Sequence, residues 1–220
     1  MNVTAKVISF TQDLRERNVK VMLMAMIIAV ATVATINAFA DHLQRTLMTS
    51  ASAFLAADRQ LNSRTNAPIP DAWYAEAEKQ GLQTGRMIEF GTMVFNESQF
   101  QLVAVKAIDN AYPLRGEIEW QADLESPRQV SSSGPQPGEV WLNPRLMRLL
   151  KLRPGDTLEI GATSLEVTGV IMREPDGGFR LSSLAPRVMM HVDDVAATEV
   201  IQPGSRVRHR GLFAGSEAEL

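Results

Sequence analysis

The least even stretch of the chain is the charge-free run from Val21 to Ala40, VMLMAMIIAVATVATINAFA, whose one amide is Asn37. A helix rises about 1.5 Å per residue, so such a run covers roughly the 30 Å of a bilayer's hydrocarbon core. It also satisfies its own backbone hydrogen bonds there. Apolar residues then recur at steps of three and four, at Leu43, Leu47, Ala51 and Phe54/Leu55. That spacing predicts an amphipathic continuation of the same helix, a stalk over residues 41–57. Ala38-Phe39-Ala40 has the small-x-small form of a signal-peptidase site, so cleavage after Ala40 is the competing reading. The run is longer than the 7–15 residues or so of a signal-peptide core, and a long polar segment precedes it, which favours an anchor.

Beyond the stalk the periodicity shortens. Asp58–Ser63 reads as a strand, Asn66–Pro70 as a turn, and Pro70–Gln80 as a helix stopped by Gly81. Thr84–Phe95 and Phe100–Ile108 read as strands about a turn at Asn96-Glu97-Ser98. Leu124–Gly138, with Pro127, Gly134, Pro135 and Pro137, reads as a flexible loop or subdomain boundary. Then come a strand at Glu139–Leu142, a helix capped by Asn143 with Pro144 in its first turn, and a hairpin of Thr157–Ile160 with Ser164–Met172. Pro175–Gly178 is a loop, Arg187–Val192 a strand, Asp193-Asp194-Val195 a short helical turn, and Ser205–Phe213 a last strand. The predicted class is α+β. A transmembrane helix runs into a stalk and then into an α/β sandwich over 58–220 with a β-rich second lobe at about 124–200.

Charge adds orientation and removes several functions. Lys6, Arg15, Arg17 and Lys20 precede the apolar run, against Arg45 and Arg59 in the twenty residues after it. The positive-inside rule therefore keeps residues 1–20 in the cytoplasm and exports the rest. A net charge of -3 argues against nucleic acid as a partner. With no cysteine there is no disulfide, thiolate nucleophile or Cys-ligated metal. His42, His191 and His209 lack metal-ligand spacing, no lysine follows a glycine as a phosphate-binding loop requires, and no G-x-S-x-G elbow occurs. No catalytic, cofactor-binding or metal residue is named on this basis, and no enzyme activity is expected. Asp193-Asp194 reads as a helix cap. Arg206, Arg208 and Arg210 alternate along one strand, which reads as a charged, solvated edge with an acidic docking partner as the alternative. Lys106, inside an apolar strand, is expected to snorkel or to be paired. The methionines outside the membrane run read as core filler.

The blocks VKAIDNAYPLRG and PGEVWLNPRL, then LKLRPGD and LEVTGVI, follow the membrane helix in an order that resembles the N-terminal part of FtsX-like, MacB-like ABC transporter permeases. The nearest subgroup is related to the lipoprotein-releasing systems. The resemblance implies a bacterial inner-membrane subunit with a MacB-like periplasmic core domain. It implies a separate ABC ATPase, a second permease copy or further membrane helices, and the lipid bilayer as partners. It also implies mechanotransmission, in which ATP-driven motion serves export or extraction of a hydrophobic or lipid-linked substrate. Family permeases carry more membrane helices after this domain, so a chain stopping at Leu220 reads as truncated at its C-terminus. The alternatives are a single-pass, membrane-anchored interaction or adaptor module, and an exported protein released after Ala40.

Overall fold

The computed structural model describes residues 17–96, 99–177 and 185–216, with side chains from residue 20 to 40 and from 56 onward. Glu97 and Ser98 of the expected hairpin turn, Gly178, and the side chains of Leu43, Leu47, Ala51, Phe54 and Leu55 lie outside the described residues. The chain divides into two compact units after Thr49.

The first unit is built on helix α1, Arg17–Leu55, of 39 residues. Its segment Lys20–Ala40 is long and apolar enough to cross a membrane, and none of it is covered by protein. The two threonine hydroxyls of that segment are satisfied within the helix. Thr32 and Thr35 donate their hydroxyls to the carbonyls of Ile28 and Ala31, each at 2.7 Å. This is the back-bonding to the preceding turn that a hydroxyl inside a helix can make.

In the second unit, β1 (Arg59–Asn62) leads to α2 (Asp71–Lys79), β2 (Gln83–Asn96), β3 (Gln99–Ile108), β4 (Ile118–Gln121), β5 (Gln129–Ser131) and β6 (Glu139–Leu142). There follow α3 (Pro144–Leu150), β7 (Thr157–Ile160), β8 (Thr163–Arg173), β9 (Arg187–His191) and β10 (Val207–Ala214). The coarse α+β class is as expected. The expected sandwich layers are replaced by one sheet whose central strands close on themselves. β2 pairs with β3, β3 with β9 in parallel, β9 with β6, β6 with β8 in parallel, β8 with β7, and β7 returns to β2 through Val94 and Ile160. β10 and β1 extend the sheet from β2, and β4 and β5 extend it from β8. Strands from either side of Leu124–Gly138 are interleaved, since β9 lies between β3 and β6.

Alternation along each strand explains the closure. Val103, Val105 and Ala107 of β3 turn inward with Val140 and Leu142, Leu158 and Ile160, Leu165 and Val167, and Val188 and Met190. Leu146, Met147 and Leu150 of α3 belong to the same buried cluster. Each such side chain contributes roughly 1.5–3 kcal/mol on burial. The cap of α3 is the expected one: Asn143 Oδ1 accepts from the Arg145 backbone at 2.9 Å, with Pro144 at the first position. The opposite wall carries a second cluster, Met87, Ile108, Tyr112, Ile118, Trp141, Ile171, Met189 and Leu212.

The loop expected at Leu124–Gly138 is ordered in part. Gln129–Ser131 forms an edge strand on β4, which was itself not anticipated. Gly134 packs so tightly on Ile108 that a Cβ there would lie 2.3 Å from the isoleucine Cδ1. Proline and serine content signalled a turn-rich segment; it carried no information about what that segment would pack against.

Candidate functional site

The outer wall of the ring gathers the chain's buried charges. Lys106 projects outward from the middle of β3, between the inward-facing Val105 and Ala107, and is buried. Its ammonium donates to Tyr112 Oη and Glu174 Oε2, both at 2.7 Å, and to Asp176 Oδ1. All three of its donors are thereby used. Glu174 also accepts from Arg187 at 3.0 Å, at the start of β9. The sequence expectation of a paired Lys106 holds, and snorkelling does not, because the head group stays inside.

The network shifts its members as electrostatics requires. Burial alone would raise the Asp176 carboxyl, but the Lys106 charge and the hydrogen bonds from Lys106 and Tyr112 outweigh it and hold Asp176 below its ordinary value. Burial, then the Asp176 and Glu174 carboxylates, push the Tyr112 phenol well above its ordinary value. Burial disfavours the Arg187 charge, yet Glu174 raises it on balance. Neither Glu174 nor Asp176 was singled out in the sequence, since no spacing links them to a lysine about seventy residues earlier. The only available signal was Lys106 itself, a charge in a strand that had to be paired.

Beside this network Glu89 of β2 stands opposite both Lys106 and Arg208 in register. Arg210 Nη2 lies 2.9 Å from Glu89 and Arg208 Nη1 3.9 Å from it. This corrects the reading of Arg206, Arg208 and Arg210 as an edge. β10 is an interior strand between β1 and β2, Arg210 is buried, and Arg206 precedes the strand. A groove of about 920 Å³ runs past these groups, lined by Leu102, Ala104, Lys106, Arg187 and Arg208 among others.

The bulge of β8 against β6 places Gly169 beside Trp141. There Trp120 and Trp141 stack at 4.6 Å and 7°. A Cβ at Gly169 would stand 2.9 Å from each indole, so the stack requires glycine. Further along the VKAIDNAYPLRG block, Asp109 accepts from the Arg86 backbone at 2.6 Å. Arg115 pairs with Asp58 at 2.6 Å and donates to Gly215 O at 3.2 Å, while its backbone N–H bonds Ala56 O at 3.0 Å. One arginine thus ties Ala56 and Asp58, just after α1, to Gly215, just after β10.

The Asp193-Asp194 cap is also corrected. His191 Nδ1 accepts from the Asp193 backbone at 3.3 Å and caps the turn Val192–Asp194, and Asp194 accepts from Gly138 N at 2.8 Å. His191 and His209 sit on different strands, and burial lowers the His209 pKa. The His42 side chain lies outside the described residues. Among the described residues, no group of three or more His, Asp or Glu is placed to hold a metal ion. Asn37 is exposed on α1, and Met87, Met147, Met189 and Met190 fill the core as expected.

Comparison with known proteins adds two findings. The family model described as the MacB-like periplasmic core domain matches residues 21–213. The chain is similar to the uncharacterized ABC transporter permease YbbP of Escherichia coli (strain K12), at 38% identity over 213 residues. The similarity covers 96% of this chain and 25% of that protein, so the chain spans about a quarter of that relative's length.

Proposed function

The chain belongs to the MacB-like periplasmic core domain family, and from that premise we propose that it is the N-terminal portion of an ABC transporter permease subunit. In this reading residues 1–20 are cytoplasmic and 21–40 span the inner membrane. Residues 41–57 form the stalk, and 58–220 the periplasmic domain. A separate ATPase supplies the energy, and a second permease copy or further membrane helices complete the path. The work done is export or extraction of a hydrophobic or lipid-linked substrate. The observation that carries the reading is that one family match runs from the apolar segment of α1 through β10. Helix and ring are therefore parts of one recognised module.

Mechanotransmission needs stiffness and anchorage rather than a reactive group. α1 is helical without interruption for 39 residues. It stops at Ala56, which adopts φ 56° and is buried, and the next residues are tied by Asp58–Arg115 to Gly215. Two glycines inserted after Asp41 in a permease containing this chain would soften the lever. The expected result is retained ATP hydrolysis with loss of substrate release. Undiminished release would overturn the lever reading.

A further inference from the structure

On the outer wall the β2–β3 hairpin continues beyond β10 and β9, with β7 alongside β2 at Val94 and Phe95. β10 reaches only to Phe90, and β9 begins opposite Ala104. Past that point Met93 pairs with Leu102 and Phe95 with Phe100. Alternation puts all four on the wall that carries Glu89 and Lys106. They are exposed by 38%, 53%, 50% and 67%, and the two phenyl rings stand 6.0 Å apart. A contiguous apolar quartet of this kind marks an interaction surface, because single exposed hydrophobes are common and clusters are not.

Charge on the same wall is sorted by depth. The carboxylates Glu89, Glu174 and Asp176 are withdrawn, at 13%, 6% and 6% exposure, whereas Arg208 is 67% exposed and Arg206 is exposed too. Along the groove from Leu102 to Arg208 what reaches solvent is therefore apolar and positive, on a chain of net charge -3, while the exposed carboxylate of this wall, Glu159, stands opposite Phe95 at the far end. We propose that this face docks an acidic protein segment, whose apolar anchors cover Met93, Phe95, Phe100 and Leu102 and whose carboxylates meet Arg206 and Arg208. The groove has charged groups along its walls, Glu89, Arg187 and Arg208 among them, which suits a polar chain better than an acyl chain. Phenylalanine, methionine and arginine are the residues that protein interfaces concentrate. The inference goes beyond the permease reading and does not depend on it.

The test uses the whole 220-residue chain in phosphatidylcholine nanodiscs, against a displayed library of random dodecapeptides. Enriched peptides are expected to combine Asp or Glu with Leu or Phe. Their affinity is expected to fall ~10-fold or more with Arg208→Glu and with Phe100→Ser. Leu102→Ser gives the second reading if Phe100→Ser disturbs the hairpin, and Arg128→Glu is expected to change affinity by less than about twofold. Neutral or basic winners, absence of enrichment, or indifference to all three variants would overturn the proposal. So would association that depends on this face but occurs only with phosphatidylglycerol vesicles or only between copies of the chain.

Discussion

Between Val21 and Ala40 the chain carries no charged residue, whereas the ring buries Lys106 to 1% exposure with two carboxylates at 6%. In the proposed arrangement both regions are dry, one by facing lipid and the other by packing. They differ in what surrounds a side chain. In the ring, Lys106 meets Glu174, Asp176 and Tyr112 brought from separate segments, so its desolvation is offset by ion pairs and hydrogen bonds. On α1, in the same arrangement, the neighbours of an outward side chain would be acyl chains, and the acceptors at hand are the helix's own carbonyls, as used by Thr32 and Thr35. A charge is thus tolerable where tertiary structure supplies partners and excluded where it does not.

The sharpest way to break this contrast is to remove the cation from the ring. Lys106→Ala leaves Glu174 and Asp176 buried without their main counter-charge. It is expected to cost about 3–5 kcal/mol of unfolding free energy in urea titrations. The triple change Lys106→Met, Glu174→Gln, Asp176→Asn is expected to recover much of that loss. A loss under about 1 kcal/mol for Lys106→Ala would show the network to be peripheral.

Next in size is the converse change. Ile28→Arg puts a charge on α1 with no partner, and insertion into the membrane is expected to weaken by about 2.5–3.5 kcal/mol. The check is the fraction of chain that stays with membranes after carbonate extraction, with Asn37→Ala as a mild companion. Unchanged retention would mean that this face of the helix meets protein or water.

A smaller effect separates packing from charge on the outer wall. Gly169→Ala drives a methyl into the Trp120–Trp141 stack and is expected to cost about 1–3 kcal/mol. Near-ultraviolet circular dichroism should lose the signal of the coupled indoles along with the shift in midpoint.

The smallest effect is the pH dependence. The folded-state pKa of Asp176 is lowered, so its stabilisation is present above the unfolded value near 3.8 and is lost as pH falls through the folded value. That of Tyr112 is raised, so its contribution holds below the unfolded value near 10 and is lost as pH rises above it. Each limb is worth at most about 1.4 kcal/mol per pH unit. Comparison of urea midpoints should show the acid limb shallower in Asp176→Asn and the alkaline limb shallower in Tyr112→Phe.

What was legible in the sequence follows from the range of the physics involved. The apolar run, the Asn143-Pro144 cap, and the strands Phe100–Ile108 and Glu139–Leu142 were readable because periodicity and capping act within a few residues. Ring closure was not, because it rests on Val94 meeting Ile160 across more than sixty residues. β4 and β5 were not legible because runs of three or four residues carry little period. The arginines of β10 were misjudged because alternation reports which side a residue faces and not which strand lies alongside. The buried network was half legible: Lys106 demanded a partner, but only the fold could supply Glu174 and Asp176.

The most direct test of the proposed arrangement is the side of the membrane on which the ring lies. The chain has no cysteine, so Ala5→Cys and Glu125→Cys each introduce a single thiol without background. In intact spheroplasts a membrane-impermeant maleimide is expected to label Cys at position 125 and spare Cys at position 5, both on a chain of uncleaved mass in the membrane fraction. Labelling at position 5 with protection at position 125, or a labelled chain released into the supernatant with its first forty residues missing, would contradict an anchored, exported domain.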